Sequence, residues 1–168
     1  VYILFADTLN NLLYIGGGFE YADSIKINRI AKWNGIKWDS LGAGADVLPG
    51  PQGNVTAINK FLNNIYAGGS FDDIGGFYTK GLAKWNGCSW DSIPDIPFNK
   101  VLNLYIDSNI LYVVGWPYNN GGIAESRITK YDGNKFTKLG KENGLLHSSI
   151  TCITEGKRGT IWIGTEGG

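Results

Sequence analysis

Residues 31–42 read AKWNGIKWDSLG, residues 83–94 read AKWNGCSWDSIP, and residues 129–140 give a drifted third copy, TKYDGNKFTKLG. Each places Asn-Gly or Asp-Gly between two aromatic residues, the pattern of two strands joined by a tight turn. Upstream of each lies an apolar strand that ends on glycine: LLYIGG at Gly17, NIYAGG at Gly69 and ILYVVG at Gly115, with TIWIG at Gly164 as a fourth. These strand ends are 52, 46 and 49 residues apart, and the hairpin markers Gly35, Gly87 and Gly133 are separated by the same first two intervals. Two independent markers that drift together indicate true repetition. A repeat of this length built from strands and hairpins predicts four-stranded antiparallel blades, hence an all-β, β-propeller fragment.

The expected blades cover about 1–41, 55–93, 101–139 and 150–168, which is three blades and the inner half of a fourth. A two-residue Asn-Gly turn of type I′ would pair Trp33 with Ile36 and Ala31 with Trp38, so that the four share one face. The repeat aromatics Trp33, Trp38, Trp85, Trp90, Tyr131 and Phe136 are then expected to pack between blades, with Trp162 as a further repeat marker and Gly35, Gly87 and Gly133 shaping the turns. Cys88 is expected as a small side chain on the packed face, and Cys152 likewise, within the alternating segment ITCITE. The paired glycines Gly16-Gly17 and Gly68-Gly69 let the chain turn sharply or let neighbouring blades approach closely.

Composition excludes several classes. Lys plus Arg and Asp plus Glu are fifteen each, so no basic footprint for nucleic acid or an anionic membrane exists. No run of eighteen apolar residues is present, so this piece offers no membrane segment. Two cysteines do not make a disulfide framework. The chain starts inside an apolar strand at Val1 and stops just after another at Gly168, which reads as a piece of a longer protein.

Motifs of catalysis are missing from the reading. His147 is the one histidine, so a His-based metal cluster is not expected. No G-x-S-x-G nucleophile turn and no phosphate-cradling loop ahead of a helix is found. Glu20 with Asp23, and Asp72 with Asp73, could in principle hold weak Ca²⁺ or serve a glycosidase, yet neither loop has the spacing of a dense calcium site. The expectation is a protein without enzymatic activity, cofactor or metal. Long connections carry function more often than tight turns. Here the connections between second and third strands fall on one rim and collect aromatic and amide groups. The candidate ligand-binding residues are Trp116, Tyr118, Asn119 and Asn120, where the repeat is broken, together with Tyr21 and Tyr78; a glycan or peptide is the expected ligand.

Two resemblances add to this. The units YIGGGF…RIAKWNGIKWDSLGAG and YAGGSF…GLAKWNGCSWDSIP resemble a bacterial secreted repeat in which a "GG-S-F" strand end precedes an "IA-W-G-W-LG" hairpin. The tail GLLHSSITCITEGKRGTIWIGTEGG resembles the two-component regulator propeller repeat through Gly144, Leu145, Ile150, Ile153, Gly159, Ile161, Trp162, Ile163, Gly164, Thr165, Gly167 and Gly168. It departs from that pattern at Gly156, where the family has an acidic turn residue. The resemblance implies a propeller in the periplasm, at the cell surface or secreted. In the regulator family such propellers are sensory regions ahead of a membrane helix and a histidine kinase. Binding or sensing is the first functional expectation, and a structural or adhesive scaffold, with the remaining blades of the same protein as partners, is the second. A propeller glycosidase or lyase is the third.

Overall fold

A computed structural model describes residues 1–46, 53–117, 127–145, 150–156 and 160–165. The strands run in chain order β1 (Ile3–Asp7), β2 (Leu12–Gly16), β3 (Tyr21–Ala22), β4 (Ile25–Lys26), β5 (Ile30–Trp33), β6 (Trp38–Ser40) and β7 (Ala45–Asp46). The second unit contains β8 (Val55–Phe61), β9 (Asn64–Gly69), β10 (Asp73–Ile74), β11 (Phe77–Tyr78), β12 (Leu82–Trp85) and β13 (Trp90–Ser92). The third contains β14 (Phe98–Asp107), β15 (Ile110–Pro117), β16 (Ile128–Tyr131) and β17 (Phe136–Leu139), and β18 (Ile150–Glu155) with β19 (Ile161–Thr165) follows. Three antiparallel four-stranded sheets form, β1-β2-β5-β6, β8-β9-β12-β13 and β14-β15-β16-β17, and β18-β19 begins a fourth. The fold is that of β-propeller blades, each sheet stacked face to face on the next.

The seams between sheets hold the core. Tyr14, Ile30, Leu41 and Val55 cluster with Ile65, Ala67, Phe71, Ile74, Ala83, Trp85 and Trp90 at the first seam. Tyr66, Leu82, Phe98, Val101, Leu111, Val113 and Tyr131 fill the second, and Tyr112, Val114, Ile128, Ile150 and Ile153 the third. Tyr14, Tyr66 and Tyr112 occupy one repeat position, each buried toward the following sheet. Burial raises the pKa of each, to about 12 for Tyr66, where neighbouring Tyr131 adds to the effect. Close approach near the axis needs a bare backbone: a Cβ on Gly16 would stand 2.6 Å from the Val55 side chain, and one on Gly68 2.5 Å from that of Val101. Thr56 donates its hydroxyl to the Val101 carbonyl (2.8 Å) and Asn59 its amide to that of Leu104 (3.2 Å), fastening the second sheet to the third.

The outer hairpins differ from the expected two-residue turn. Trp33 pairs with Trp38, Trp85 with Trp90 and Tyr131 with Phe136, so each loop has four residues. The reason is the first loop residue. Asn34 Oδ1 accepts the N–H of Ile36 (3.0 Å) and of Lys37 (2.9 Å), and Asn86 does the same for Cys88 and Ser89. Asp132 repeats it for Asn134 and Lys135, and those backbone bonds hold its carboxyl below the usual carboxylate range. Gly35, Gly87 and Gly133 follow at φ of 92°, 105° and 99°, in the left-handed region that glycine enters without steric cost. The side-chain turn outcompetes the two-residue alternative, and it brings the aromatics directly opposite each other, with ring centroids 5.2, 5.4 and 4.5 Å apart. Ile36 and Cys88 are therefore loop residues, and Ile36 is 84% exposed. Cys88 does not lie on a packed face, and Cys152, on β18, is exposed as well.

A second correction concerns register. Gly69, Gly115 and Thr165 pair with Val55, Val101 and Ile150, and in all three sheets the register then shifts by one residue. Thr165, rather than Gly164, is thus the equivalent of Gly115, and the third interval is 50 rather than 49 residues. One residue of slip exchanges the faces of a strand. Ile161 and Ile163 turn toward the third sheet, and Trp162, at the Tyr14-Tyr66-Tyr112 position, is 64% exposed.

An ion pair bridges the first seam, with Asp7 buried and Lys60 half-buried. Lys60 Nζ lies 2.8 Å from Asp7 Oδ2, which also accepts from Asn10 Nδ2 at 2.8 Å. Burial pushes the Asp7 carboxyl up, but the bonds from Lys60 and Asn10 and the Lys60 charge together bring it below its ordinary value. A carboxyl with a depressed folded-state pKa contributes stability above its unfolded pKa and loses it as pH falls through the folded one. Urea midpoints are accordingly expected to fall as pH drops below about 4. In Lys60→Met, Asp7 keeps its bond from Asn10 but loses the bond and the charge of Lys60, so the variant is expected to be weaker by about 1.5–3 kcal/mol near neutrality and to lose less stability than the parent on acidification.

The aromatic pairs are open to a direct comparison. Trp90 is 1% exposed and donates its indole N–H to the Leu41 carbonyl at 2.6 Å, whereas its equivalent Trp38 is half-buried. Trp90→Ala is expected to cost about 3–5 kcal/mol in urea unfolding, and Trp38→Ala less than half of that. Trp90→Phe should cost about 0.5–1.5 kcal/mol more than Trp38→Phe, because only the former removes a buried hydrogen bond, leaving the Leu41 carbonyl with the Gly44 N–H at 3.2 Å.

Candidate binding rim

The connections from second to third strand are not plain loops in the first two sheets. β3 pairs with β4 and β10 with β11, each as a small hairpin. In the second sheet the turn is Gly75-Gly76, both at positive φ, with Asp73 Oδ1 accepting the Gly76 N–H at 3.0 Å. Gly-Gly between Ile74 and Phe77 is an ordinary hairpin signal that the reading of the sequence passed over. The hairpins are equivalent across 52 residues, and Ala22 and Ile74 are the buried pegs that seat them. β10 gains a third strand on its other edge, β7 from the preceding connector, through Asp73 opposite Asp46 and Ile74 opposite Ala45.

Rigid, paired backbone therefore carries the exposed aromatics. Tyr21 stands opposite Lys26 and Tyr78 opposite Asp73, so the tyrosines occupy opposite members of the same cross-strand pair. Repetition does not place them there, because Tyr21 corresponds to Asp73 and Tyr78 to Lys26. Tyr21 is 59% and Tyr78 67% exposed, and Phe77 beside Tyr78 is also exposed. Phe19 and Phe71, equivalent to each other, instead pack inward against their sheets.

Tyr78 lines a cleft of 280 Å³ with Thr79, Lys80, Ser92, Ile93, Asp95 and Ile96. Thr79 is buried, its hydroxyl donating to the Leu82 carbonyl. Asp95, at φ 55°, projects between this cleft and a neighbouring one of 260 Å³ lined by Pro94, Pro97, Asn134, Lys135, Phe136 and Lys138. Hydroxyl, ammonium and carboxylate groups above an apolar floor of Ile93 and Ile96 give donors and acceptors in a small concave space. Asp95 and this cleft were missed in the sequence, because the cleft forms only when the connector after β13 folds back beside β11.

On the third sheet Trp116, next to the end of β15, is 54% exposed. It pairs across the strands with Lys100, and Lys100 Nζ and Arg127 Cζ each lie 5.8 Å from its ring centroid. The electron-rich ring face attracts both cations and limits the indole's freedom. Tyr118, Asn119 and Asn120 lie outside the described residues, as does His147. Of the six sequence candidates, Tyr21, Tyr78 and Trp116 are thus placed, one in each of three successive units, the tyrosines on hairpins β3-β4 and β10-β11 and Trp116 on β15, at the rim of the second-to-third-strand connections.

Among the described residues no group of three or more His, Cys, Asp or Glu side chains converges as for a metal ion. No helix of the described residues is long and apolar enough to cross a membrane. Residues 144–167, which include β18 and β19, match the family model described as the two component regulator propeller. The match joins this closing segment to a known propeller repeat, in agreement with the four-stranded sheets ahead of it. No curated protein matches the chain.

Proposed function

We propose that this protein is a noncatalytic recognition or sensing module, and that it binds a glycan or peptide on the rim carrying Tyr21, Tyr78 and Trp116. The observation that carries the reading is the display of exposed tyrosines on hairpins pinned by buried pegs, at positions the repeat itself does not dictate. Aromatic side chains held on paired backbone lose little entropy on binding and offer flat apolar faces with polar edges. The Tyr78 cleft adds hydroxyl and charged partners at the scale of one sugar ring or one side chain. The match of residues 144–167 to a regulator-associated repeat supports a sensing role and a location outside the cytoplasm, in the periplasm, at the cell surface or secreted. A structural or adhesive scaffold is the alternative.

The two readings separate in a binding experiment. On glycan and peptide arrays the protein is expected to give saturable binding. That binding should weaken at least about tenfold in Tyr78→Ala or Trp116→Ala, a loss of about 1.4 kcal/mol or more, with urea midpoints unchanged. Absence of binding to every class on the arrays would favour the scaffold.

A further inference from the structure

Two of the three outer loop tips hold an amide where the third holds an acid. Asn34, Asn86 and Asp132 occupy one repeat position, all are exposed, and each is followed by glycine. The side-chain oxygen accepts the same two N–H groups in every tip, at 3.0 and 2.9 Å for Asn34, 2.9 and 3.0 Å for Asn86, and 2.8 and 2.9 Å for Asp132. The turn asks only an oxygen of this residue, and a carboxylate in place of the amide leaves it intact. The Gly35 and Gly87 N–H groups make no hydrogen bond among the described residues, and a Cβ on either glycine would meet nothing within 4 Å. An uncrowded backbone nitrogen thus follows each carboxamide.

The two amides differ at their nitrogen. Asn86 Nδ2 donates to Ser89 Oγ at 3.2 Å and reaches Asp91 Oδ2 at 3.5 Å. In the first tip Lys37 stands where Ser89 does, and an ammonium offers no acceptor. Asp39, the equivalent of Asp91, is held instead by Lys32 Nζ at 3.3 Å. Among the described residues Asn34 is therefore bonded through its oxygen alone. A nucleophile meets the carboxamide carbon from above the plane of the group, so the side chain must turn before the following nitrogen can reach it. A plane tied at both ends, as in Asn86, turns at greater cost than one tied at a single end.

We propose that Asn34 is a site of spontaneous deamidation and that its counterpart Asn86 is guarded against the same reaction. The Gly35 nitrogen attacks Asn34 Cγ, an N–Cγ bond forms, the Cγ–Nδ2 bond breaks, and ammonia leaves with the proton that the attacking nitrogen gives up. Water then opens the cyclic imide, and no oxidant or reductant takes part. Cleavage of the new N–Cγ bond gives aspartate, which reproduces the Asp132 tip. Cleavage of the original peptide bond gives isoaspartate, which adds one atom to the main chain between the paired Trp33 and Trp38 and breaks the shared turn. Either product adds a negative charge at the circumference of the first unit.

Both tips share the Trp-Asn-Gly context, so each residue's rate in the unfolded chain serves as its own reference. The full chain, native and in guanidinium chloride, is incubated at mildly alkaline pH and digested with trypsin, which places Asn34 in fragment 33–37 and Asn86 in fragment 85–100. Mass spectrometry with fragmentation follows the amide-to-acid mass gain at each residue. The native-to-denatured rate ratio is expected to be roughly fivefold or more higher for Asn34 than for Asn86, on the scale of one side-chain hydrogen bond. Ser89→Lys is expected to raise the native rate at Asn86 and Lys37→Ser to lower that at Asn34, while Asn34→Asp keeps the parent urea midpoint. Equal or reversed ratios would overturn the proposal. So would an Asn34 that stays unreacted in the native chain once the denatured reference is complete, or an Asn86 rate that Ser89→Lys leaves unchanged.

Discussion

Everything in this molecule rests on the seating of one sheet upon the next through paired aromatic rings. The pair Trp85-Trp90 does this most fully: both rings are buried and one indole reaches across to the backbone of the adjacent outer strand. A four-stranded sheet of these short strands has two apolar faces and cannot bury either by itself. Stability is therefore a property of seams. Tyrosine on one side, tryptophan or its aromatic substitute on the other, and glycine and valine near the axis recur at the first two, while Tyr112 meets isoleucines of β18 and β19 at the third.

Much of this was legible in the sequence. The first two repeat intervals and the shared face of the hairpin aromatics follow from spacing alone, and three antiparallel four-stranded sheets form. What was not legible were choices between local alternatives of similar energy. Asn34, Asn86 and Asp132 could have begun a two-residue turn; their side-chain oxygens instead collect two backbone N–H groups and lengthen the loop. That moved Ile36 and Cys88 from the packed face to the loop tip. The shift after Val55, Val101 and Ile150 likewise leaves no mark in composition, and it decides which way Trp162 faces.

The rim was legible as a region and not as a site. Tyr21, Tyr78 and Trp116 were singled out as aromatics in irregular connections, and their exposure agrees with that. The hairpins that hold the tyrosines, the β7 strand that braces one of them and the cleft around Asp95 arise from contacts between segments far apart in the chain. The one nearby signal was Gly75-Gly76. Trp116 has a different setting, bracketed by Lys100 and Arg127, so the rim presents two chemically distinct patches rather than three copies of one.

The loop tips on the outer edge have a consequence for how such a protein diversifies. Conformation there is set by the leading Asn or Asp and the glycine after it, and the next two residues take part chiefly through their backbone, giving N–H groups to the leading side chain and returning the second carbonyl to the leading N–H. Ile36-Lys37, Cys88-Ser89 and Asn134-Lys135 differ in chemistry, yet the three tips share the same backbone bonds, to which the second adds one from Asn86 Nδ2 to Ser89 Oγ at 3.2 Å. The circumference thus offers two letters per unit fixed mainly through their backbone, where surface character can drift through generations without disturbing the folded frame.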